Sequence, residues 1–171
     1  MKINIIGKGD GWEKAPYENS WGATQLILRR PVSMVVDMND YSNNRWGVEE
    51  SLDYEASKSE AKRLGIPYIG LHNYPLQEVI EFFGDDYFSN TIDYMMALAI
   101  YKGATEIDIY GVNMLGDQYL FEKPGVEYWR GQAMGRGIKV TVHGKQSLVG
   151  KTPDGLLYGY DVPQPSLARR N

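Results

Sequence analysis

The chain of 171 residues has no cysteine, which excludes disulfides, thiolate nucleophiles and cysteine-ligated metals and suits a reducing cytoplasm. It has only two histidines, His72 and His143, so imidazole chemistry has two places to reside. Positive charge is not in excess: 18 Lys and Arg stand against 22 Asp and Glu, a formal net charge of −4. A protein that wraps nucleic acid needs a clustered basic face, so nucleic acid is not an expected partner, whereas a small anionic ligand needs only a local site. Nowhere do about 18 apolar residues run together. Met1 leads into an alternating apolar run and not into a basic segment with a long apolar core, so neither a membrane span nor a signal peptide is expected. No G-x-S-x-G elbow, H-E-x-x-H helix or Ser, His and Asp grouping occurs, which leaves ordinary hydrolase chemistry little support. Repeats, low-complexity tracts and interdomain linkers are also missing, and the length fits one core spanning 1–171.

What is present is an alternation of strand and helix periodicity, the mark of a layered α/β fold with a mostly parallel sheet. Residues 2–7 read as a strand, 20–24 as a short extended piece, and QLILRR as one or two helical turns stopped by Pro31. The run at 32–38, VSMVVDM, has the continuous apolarity of a strand buried on both faces. A surface helix is expected over 48–64, with Leu52, Ala56, Ala61 and Leu64 near one side and Gly65 as its stop. A strand at 66–71 and a helix at 75–83 follow, the latter with Leu76, Val79, Ile80 and Phe83 inward. Residues 89–102 start with cap residues and are apolar nearly all round, as a helix lying centrally on a sheet would be. The remaining expectations are a strand at 106–111, a helix at 126–135, a last strand at 138–142, and an irregular tail at 150–171 that packs on the domain or is partly mobile.

The most informative stretch is MKINIIGKGDGW, in which the first strand opens onto Gly7, Gly9 and Gly11 interleaved with Lys8 and Asp10. Glycine lets backbone amides approach an anion closely, and Lys8 adds a point charge. The spacing is neither G-x-G-x-x-G, since Trp12 stands where a glycine would, nor a P-loop. A plain glycine-rich turn is the competing reading.

Ligands in open parallel sheets sit outside the carboxyl ends of the strands, and three further groups of polar residues fall there. Asp37, Asn39 and Asp40, with Arg45 beyond, would meet a ribose hydroxyl or Mg²⁺, or else satisfy loop amides. His72, beside Asn73, is an acid or base candidate, or a hydrogen-bonded structural residue. Asn113 follows the 106–111 strand, with Asp117 further on. Ser89, Asn90 and Thr91 open a helix whose amides and partial positive charge would suit an anion or a sugar hydroxyl, or serve capping alone. Lys123 or Arg130 would reach a phosphate if the preceding loop folds over the site.

The series MKINIIGKGDGW, WGAT, VSMVVDMND and SNTIDYMMALAIYKGATEIDIYGVNM resembles the Rossmann-like group that includes sialyltransferase-like enzymes and archaeal 6-hydroxymethylpterin pyrophosphokinase-like proteins. In that comparison Thr24 stands where an asparagine is common, Asp37 matches an aspartate closing a strand, Ser89-Asn90-Thr91 occupies the expected helix start, and Asn113 replaces an aspartate. GVNMLGDQYLFEKPGVEYWRGQAMGRGIKV and a terminal LLYGYD resemble small uncharacterised proteins of tailed bacteriophages and prophages. The resemblance implies a nucleotide-type ligand at the glycine loop and a place in a host cytoplasm, and it identifies no reaction.

The expectation is therefore a nucleotide or nucleotide-derived small molecule held by Gly7, Lys8, Gly9, Asp10, Gly11, Thr24, Asn39, Ser89, Asn90, Thr91 and Asn113. A glycosyl- or pyrophosphoryl-transferase would use His72 and Asp37 as its catalytic pair. The alternatives are a binding protein without turnover that sequesters a host nucleotide signal or modulates a host protein, and an assembly factor using exposed aromatics such as Trp46. The cofactor is unknown, Mg²⁺ being the metal such oxygens would take, and a homo-oligomer or a host protein remains open as partner.

Overall fold

The computed structural model describes residues 1–41, 47–114, 116–144 and 148; of 47–52 and 118 it describes the backbone alone. Strands form where apolar and β-branched residues run together: β1 (Lys2–Ile6), β2 (Ser20–Ala23), β3 (Met34–Asp37), β4 (Tyr68–Gly70), β5 (Glu106–Tyr110) and β6 (Lys139–Val142). They make one six-stranded sheet in the order β4-β3-β2-β1-β5-β6, and every pairing is parallel. The chain winds outward from β1 to β4, then crosses back to the opposite side of β1 to lay down β5 and β6. The winding thus reverses between β1 and β5.

Burial on both faces explains the unbroken apolarity of the central strands. Ile3, Ile5, Met34, Val36, Ile107 and Ile109 face a large core, while Ile6, Val35 and Tyr110 face a smaller one. The large core is roofed by α2 (Leu76–Phe83), α3 (Thr91–Tyr101) and α4 (Lys123–Gly135). Helix α3 packs across β1, β2 and β3 and beside α4. Its residues from Met95 to Ile100 are all buried, which is why this helix shows no polar face in the sequence.

On the opposite face α1 (Gly47–Leu64) packs against a 3-10 segment, Thr24–Leu28, and against β4. Among its described side chains the buried ones are Ser57 and Ala61, while Ala56 and Leu64 are exposed; the side chain of Leu52 lies outside the described residues. This corrects the expected apolar stripe: small side chains let the helix approach the 3-10 segment, and the Ser57 hydroxyl is satisfied by the Asp53 carbonyl at 2.7 Å. In α2, Val79 is buried, but Leu76 is 43% exposed. Over β1, β5 and β6 the second face carries charge: Lys2 Nζ lies 2.8 Å from Asp108 and 3.4 Å from Glu106, which also meets Lys139 at 3.2 Å. The expected tail at 150–171, Arg45 and Trp46 lie outside the described residues.

The exits of β1 and β5 are packed backbone to backbone. A Cβ on Gly7 would come within 2.5 Å of the Gly111 carbonyl oxygen and 2.9 Å of Val112 Cγ2. Overpacking of this kind costs about 1–3 kcal/mol. Gly7→Ala is therefore expected to lower unfolding free energy in urea by about 2 kcal/mol. Gly131→Ala, on the exposed middle of α4 where an added Cβ meets nothing within 4 Å, is expected to raise it by about 1 kcal/mol through helix propensity.

Candidate functional site

Just beyond the reversal between β1 and β5 lies a crevice of about 860 Å³. It brings together Gly7, Lys8, Gly9, Asp10, Thr24, Asn39, Ser89, Asn90, Thr91 and Asn113, residues from five separate segments. Gly11 does not line it; with φ at 95° it turns the chain into the 3-10 segment Trp12–Lys14. Arg30 holds that turn by donating from Nη1 to the Trp12 and Ala15 carbonyls, both at 2.9 Å.

The glycine loop works differently from a free amide cradle. Gly7 N–H donates to the Tyr110 carbonyl and Gly9 N–H to the Gly111 carbonyl, both at 2.8 Å. These amides extend the β1–β5 pairing, and the glycines are required by the closeness of the two chains. Gly111, with φ at 61°, faces the Gly9 and Gly7 carbonyls equally tightly. The Lys8 side chain remains exposed and donates to Gln25 Oε1 at 2.9 Å.

Thr24 sits at the end of β2 with φ at 49°. The left-handed region disfavours β-branched residues, by about 1–3 kcal/mol for such strained positions. Its hydroxyl is buried and has no hydrogen-bond partner among the described residues. Strain and an unsatisfied polar atom thus coincide on the wall of the crevice.

The start of α3 forms the facing wall. Asn90 caps the helix, its Oδ1 accepting from Ile92 N–H at 2.8 Å and Asp93 N–H at 3.2 Å. Its Nδ2 donates to the Glu122 carbonyl at 3.0 Å, tying α3 to the entrance of α4. Two of the donors expected to face a ligand are thereby taken by the cap. Asp93 accepts from Ser89 N–H and Oγ, both at 2.8 Å, and Gly125 packs directly on this pair, leaving no room for a Cβ. Burial raises the Asp93 carboxyl to about 6 from its ordinary 3.8, against the opposing hydrogen bonds from Ser89 and Asn90.

Sequence reasoning missed the aromatic part of the crevice. Phe88 and Tyr94 stack at 4.2 Å, nearly parallel, and line it together with Tyr119. Phe88 precedes the helix and Tyr94 lies one turn inside it, a spacing visible in the sequence once the helix start is known; Tyr119 and Glu122 arrive from a loop that no local pattern connects to the site. Lys123 and Arg130 do not line the crevice; Lys123 lies 3.7 Å from Glu127.

Asp37 and His72 fall elsewhere, in a second cavity of about 850 Å³ at the carboxyl ends of β3 and β4, which adjoins the first through Asn39. Asp37 is 1% exposed. Its carboxylate accepts from Asn39 N–H at 3.2 Å, Asn39 Nδ2 at 2.8 Å, and the hydroxyls of Tyr41 and Tyr68 at 3.1 Å. Burial first, and then the Asp37 charge, push both phenols well above the ordinary tyrosine range, so they remain proton donors. His72 is exposed in the turn after β4, where Asn73 closes the loop on Gly70 N–H and the Tyr68 carbonyl; among the described residues His72 has no hydrogen-bond partner. His143 instead pairs with Asp108 at 3.1 Å and lies parallel on the Tyr110 ring at 4.2 Å. Burial opposes the Asp108 charge, but hydrogen bonds from Lys2 and His143 prevail and hold it below the usual carboxylate range.

Among the described residues no group of three or more His, Asp or Glu is arranged to hold a metal ion, and no helix is long and apolar enough to cross a membrane.

The fold and site define an all-parallel α/β protein with a crevice at the point where its winding reverses. No protein-family model matches the sequence, and no curated protein does. Among solved structures the chain is similar to thiamine pyrophosphokinase from Bacillus subtilis, with a TM-score of 0.50 and 13% identity over 84% of this chain. The match takes in 60% of that enzyme's length, less than two thirds of it. Two structures of the sialyltransferase CstII also match at a TM-score of 0.40: one with a trisaccharide acceptor and CMP, 12% identical over 83% of this chain and 80% of that one, and one from Campylobacter jejuni with a substrate analogue, 13% identical over 82% and 79%. At these identities the likeness is one of fold. A pyrophosphokinase among the neighbours agrees with the distant group resemblance read from the sequence.

The raised Asp93 carboxyl carries a pH signature. Between about 4 and 6 the folded state binds this proton more than the unfolded state does, so stability falls as pH rises through that window and is level above it. Relative to the native chain, Asp93→Asn is expected to gain on the order of 2–3 kcal/mol of stability between pH 3.5 and 7. Urea denaturation of both proteins at the two pH values checks it; an unchanged difference would show that Asp93 titrates normally.

Proposed function

We propose that the crevice binds a nucleotide or nucleotide-derived small molecule, with its phosphate beside Lys8 and its ring against Tyr94 and Tyr119. The observation that carries this reading is the meeting of the glycine loop, Thr24, Asn39, Asn113 and the start of α3 at the reversal between β1 and β5, the place where open parallel sheets hold ligands. The unpartnered Thr24 hydroxyl supports it, because a buried polar atom without a partner costs about 1–3 kcal/mol and a ligand hydroxyl or phosphate would satisfy it. Phe88 is sandwiched between Tyr94 and Trp129, so Tyr94 and Tyr119 are the rings that offer a base a surface.

If the protein is an enzyme, glycosyl or pyrophosphoryl transfer is the class that suits a nucleotide ligand, with positioning and charge stabilisation contributing most of the rate. His72 is then the acid or base, reaching across Asn39 from the second cavity. Binding without turnover, as in the capture of a host nucleotide signal by a phage product, is favoured by one observation. The Asp37 carboxylate is closed to solvent and its oxygens are taken by Asn39, Tyr41 and Tyr68, so it offers a substrate no open face.

A thermal-shift screen against nucleoside mono-, di- and triphosphates, nucleotide-sugars, cyclic dinucleotides and NAD-type compounds, with and without Mg²⁺, tests the reading, because a ligand of the folded state raises the melting temperature. At least one nucleotide is expected to do so. Lys8→Ala should weaken that ligand about tenfold or more, as loss of a charged hydrogen bond does, without lowering the melting temperature of the free protein. No shift with any of these compounds would refute a nucleotide site. With a ligand in hand, chromatography of products over hours separates the two versions: turnover lost in His72→Ala with binding intact supports the enzyme, and tight binding with no product supports capture.

A further inference from the structure

The two cavities at the carboxyl edge of the sheet are close in size, about 860 and 850 Å³, and meet at Asn39. Each alone falls in the range that encloses a drug-sized molecule. Each also has its own aromatic wall. In the first, Phe88 lies parallel to Tyr94 at 4.2 Å. In the second, Tyr54 lies between Tyr41, stacked on it at 4.3 Å, and the Lys58 ammonium, 4.8 Å from its ring centre, and meets Tyr68 edge-on at 6.2 Å, so Tyr54 props the Tyr41 ring and leaves Tyr41 and Tyr68 as the wall's surface. The Asp37 carboxylate anchors the Tyr41 and Tyr68 hydroxyls, which sets the orientation of those rings before any ligand arrives.

Between the two walls the lining is polar: Asn39, Thr24 and the loop that carries Lys8. The Lys8 ammonium is tied toward the junction. It donates to Gln25 Oε1 at 2.9 Å, and Gln25 Nε2 in turn donates to the Tyr41 hydroxyl at 3.4 Å, part of the second cavity's wall. A hydrogen-bonded chain thus runs from the loop of one cavity to the buried carboxylate of the other. Lys58 and Lys62 line the second cavity as Lys8 lines the first, so cationic groups stand on both sides of the shared Asn39.

We propose that the two cavities are halves of one site for a two-headed ligand, in which a pyrophosphate joins a nucleoside to a second ring-bearing group, a dinucleotide in the simplest form. This rests on the nucleotide reading of the first crevice and extends it. The nucleoside diphosphate half occupies the first cavity, the pyrophosphate lies by Asn39 and Lys8, and the second ring lies against the Tyr41 and Tyr68 wall that Tyr54 props. A mononucleotide fills only one half.

Isothermal titration of the native protein tests this with ADP, GDP, CDP and UDP, each compared with the symmetrical dinucleoside diphosphate of the same base. For the base that binds, the dinucleotide is expected to bind about tenfold tighter or more, the scale of one added base stack. Tyr54→Ala should remove that gain and leave the nucleoside diphosphate affinity unchanged. Should Tyr54→Ala melt early, Leu71→Trp decides the matter: Leu71 is an exposed turn residue on the second cavity's wall, and the larger side chain narrows that cavity without disturbing a core. A nucleoside diphosphate that binds as tightly as its dinucleotide overturns the two-headed site and leaves the nucleotide reading intact. So does a Leu71→Trp protein that keeps the full gain. Failure of every compound to bind overturns both.

Discussion

The closeness of β1 and β5 at their carboxyl ends is the constraint on which the rest depends. Gly7, Gly9 and Gly111 bring two backbones to distances that no Cβ would allow, and their amides and carbonyls continue the strand pairing past the formal end of each strand. Past this pair the glycine loop and residues 111–114 stay together, and both line the crevice with Thr24, Asn39 and the start of α3. The glycines act on the crevice through the shape of the chain, since the amides of Gly7 and Gly9 are bound within the sheet.

Around that crevice the buried polar groups fall into two kinds. Some are satisfied and rigid: Asn90 caps α3 and ties it to Glu122, and Asp37 gathers Asn39, Tyr41 and Tyr68. Others carry an unbalanced cost. Among the described residues, Thr24 combines left-handed backbone with an unpartnered hydroxyl, and Asp93 is a buried carboxylate whose Oδ1 has no partner. Satisfied groups define the walls, and Thr24 is the strained position among them. Hydrogen bonds through Gln25 connect the lysine of the glycine loop to the Asp37 cluster, so the two cavities share one polar framework.

Strand and helix identities were legible because burial imposes its period on the residues. β3 reads as a strand buried on both faces since Met34 and Val36 point to one core and Val35 to the other, and α3 reads as a central helix because it has no polar side to show. The buried side of α1 was not legible. Ser57 and Ala61 are buried for their small size at a close helix approach, a property that apolar patterning does not register. The charge ladder of Lys2, Glu106 and Asp108 is written as polar positions alternating with apolar ones in β1 and β5. His143 joins it only through the register of β6.

Most residues singled out for the crevice could be named from the sequence because each ends a strand or starts a helix, and parallel sheets place those positions on one edge. That much is local: an apolar run followed by glycine, an asparagine before a helix, an aspartate closing a strand. Which of these positions share a cavity was decided by strand order alone. With β1 between β2 and β5, the glycine loop faces Thr24, Asn113 and α3, whereas β3 and β4 at the far side carry Asp37 and His72 into a neighbouring cavity. Local sequence determines what each segment becomes and which side chains it offers at its end. Only the packed sheet sets the distances between those ends, because strand order and backbone approach arise from contacts between residues far apart in the chain.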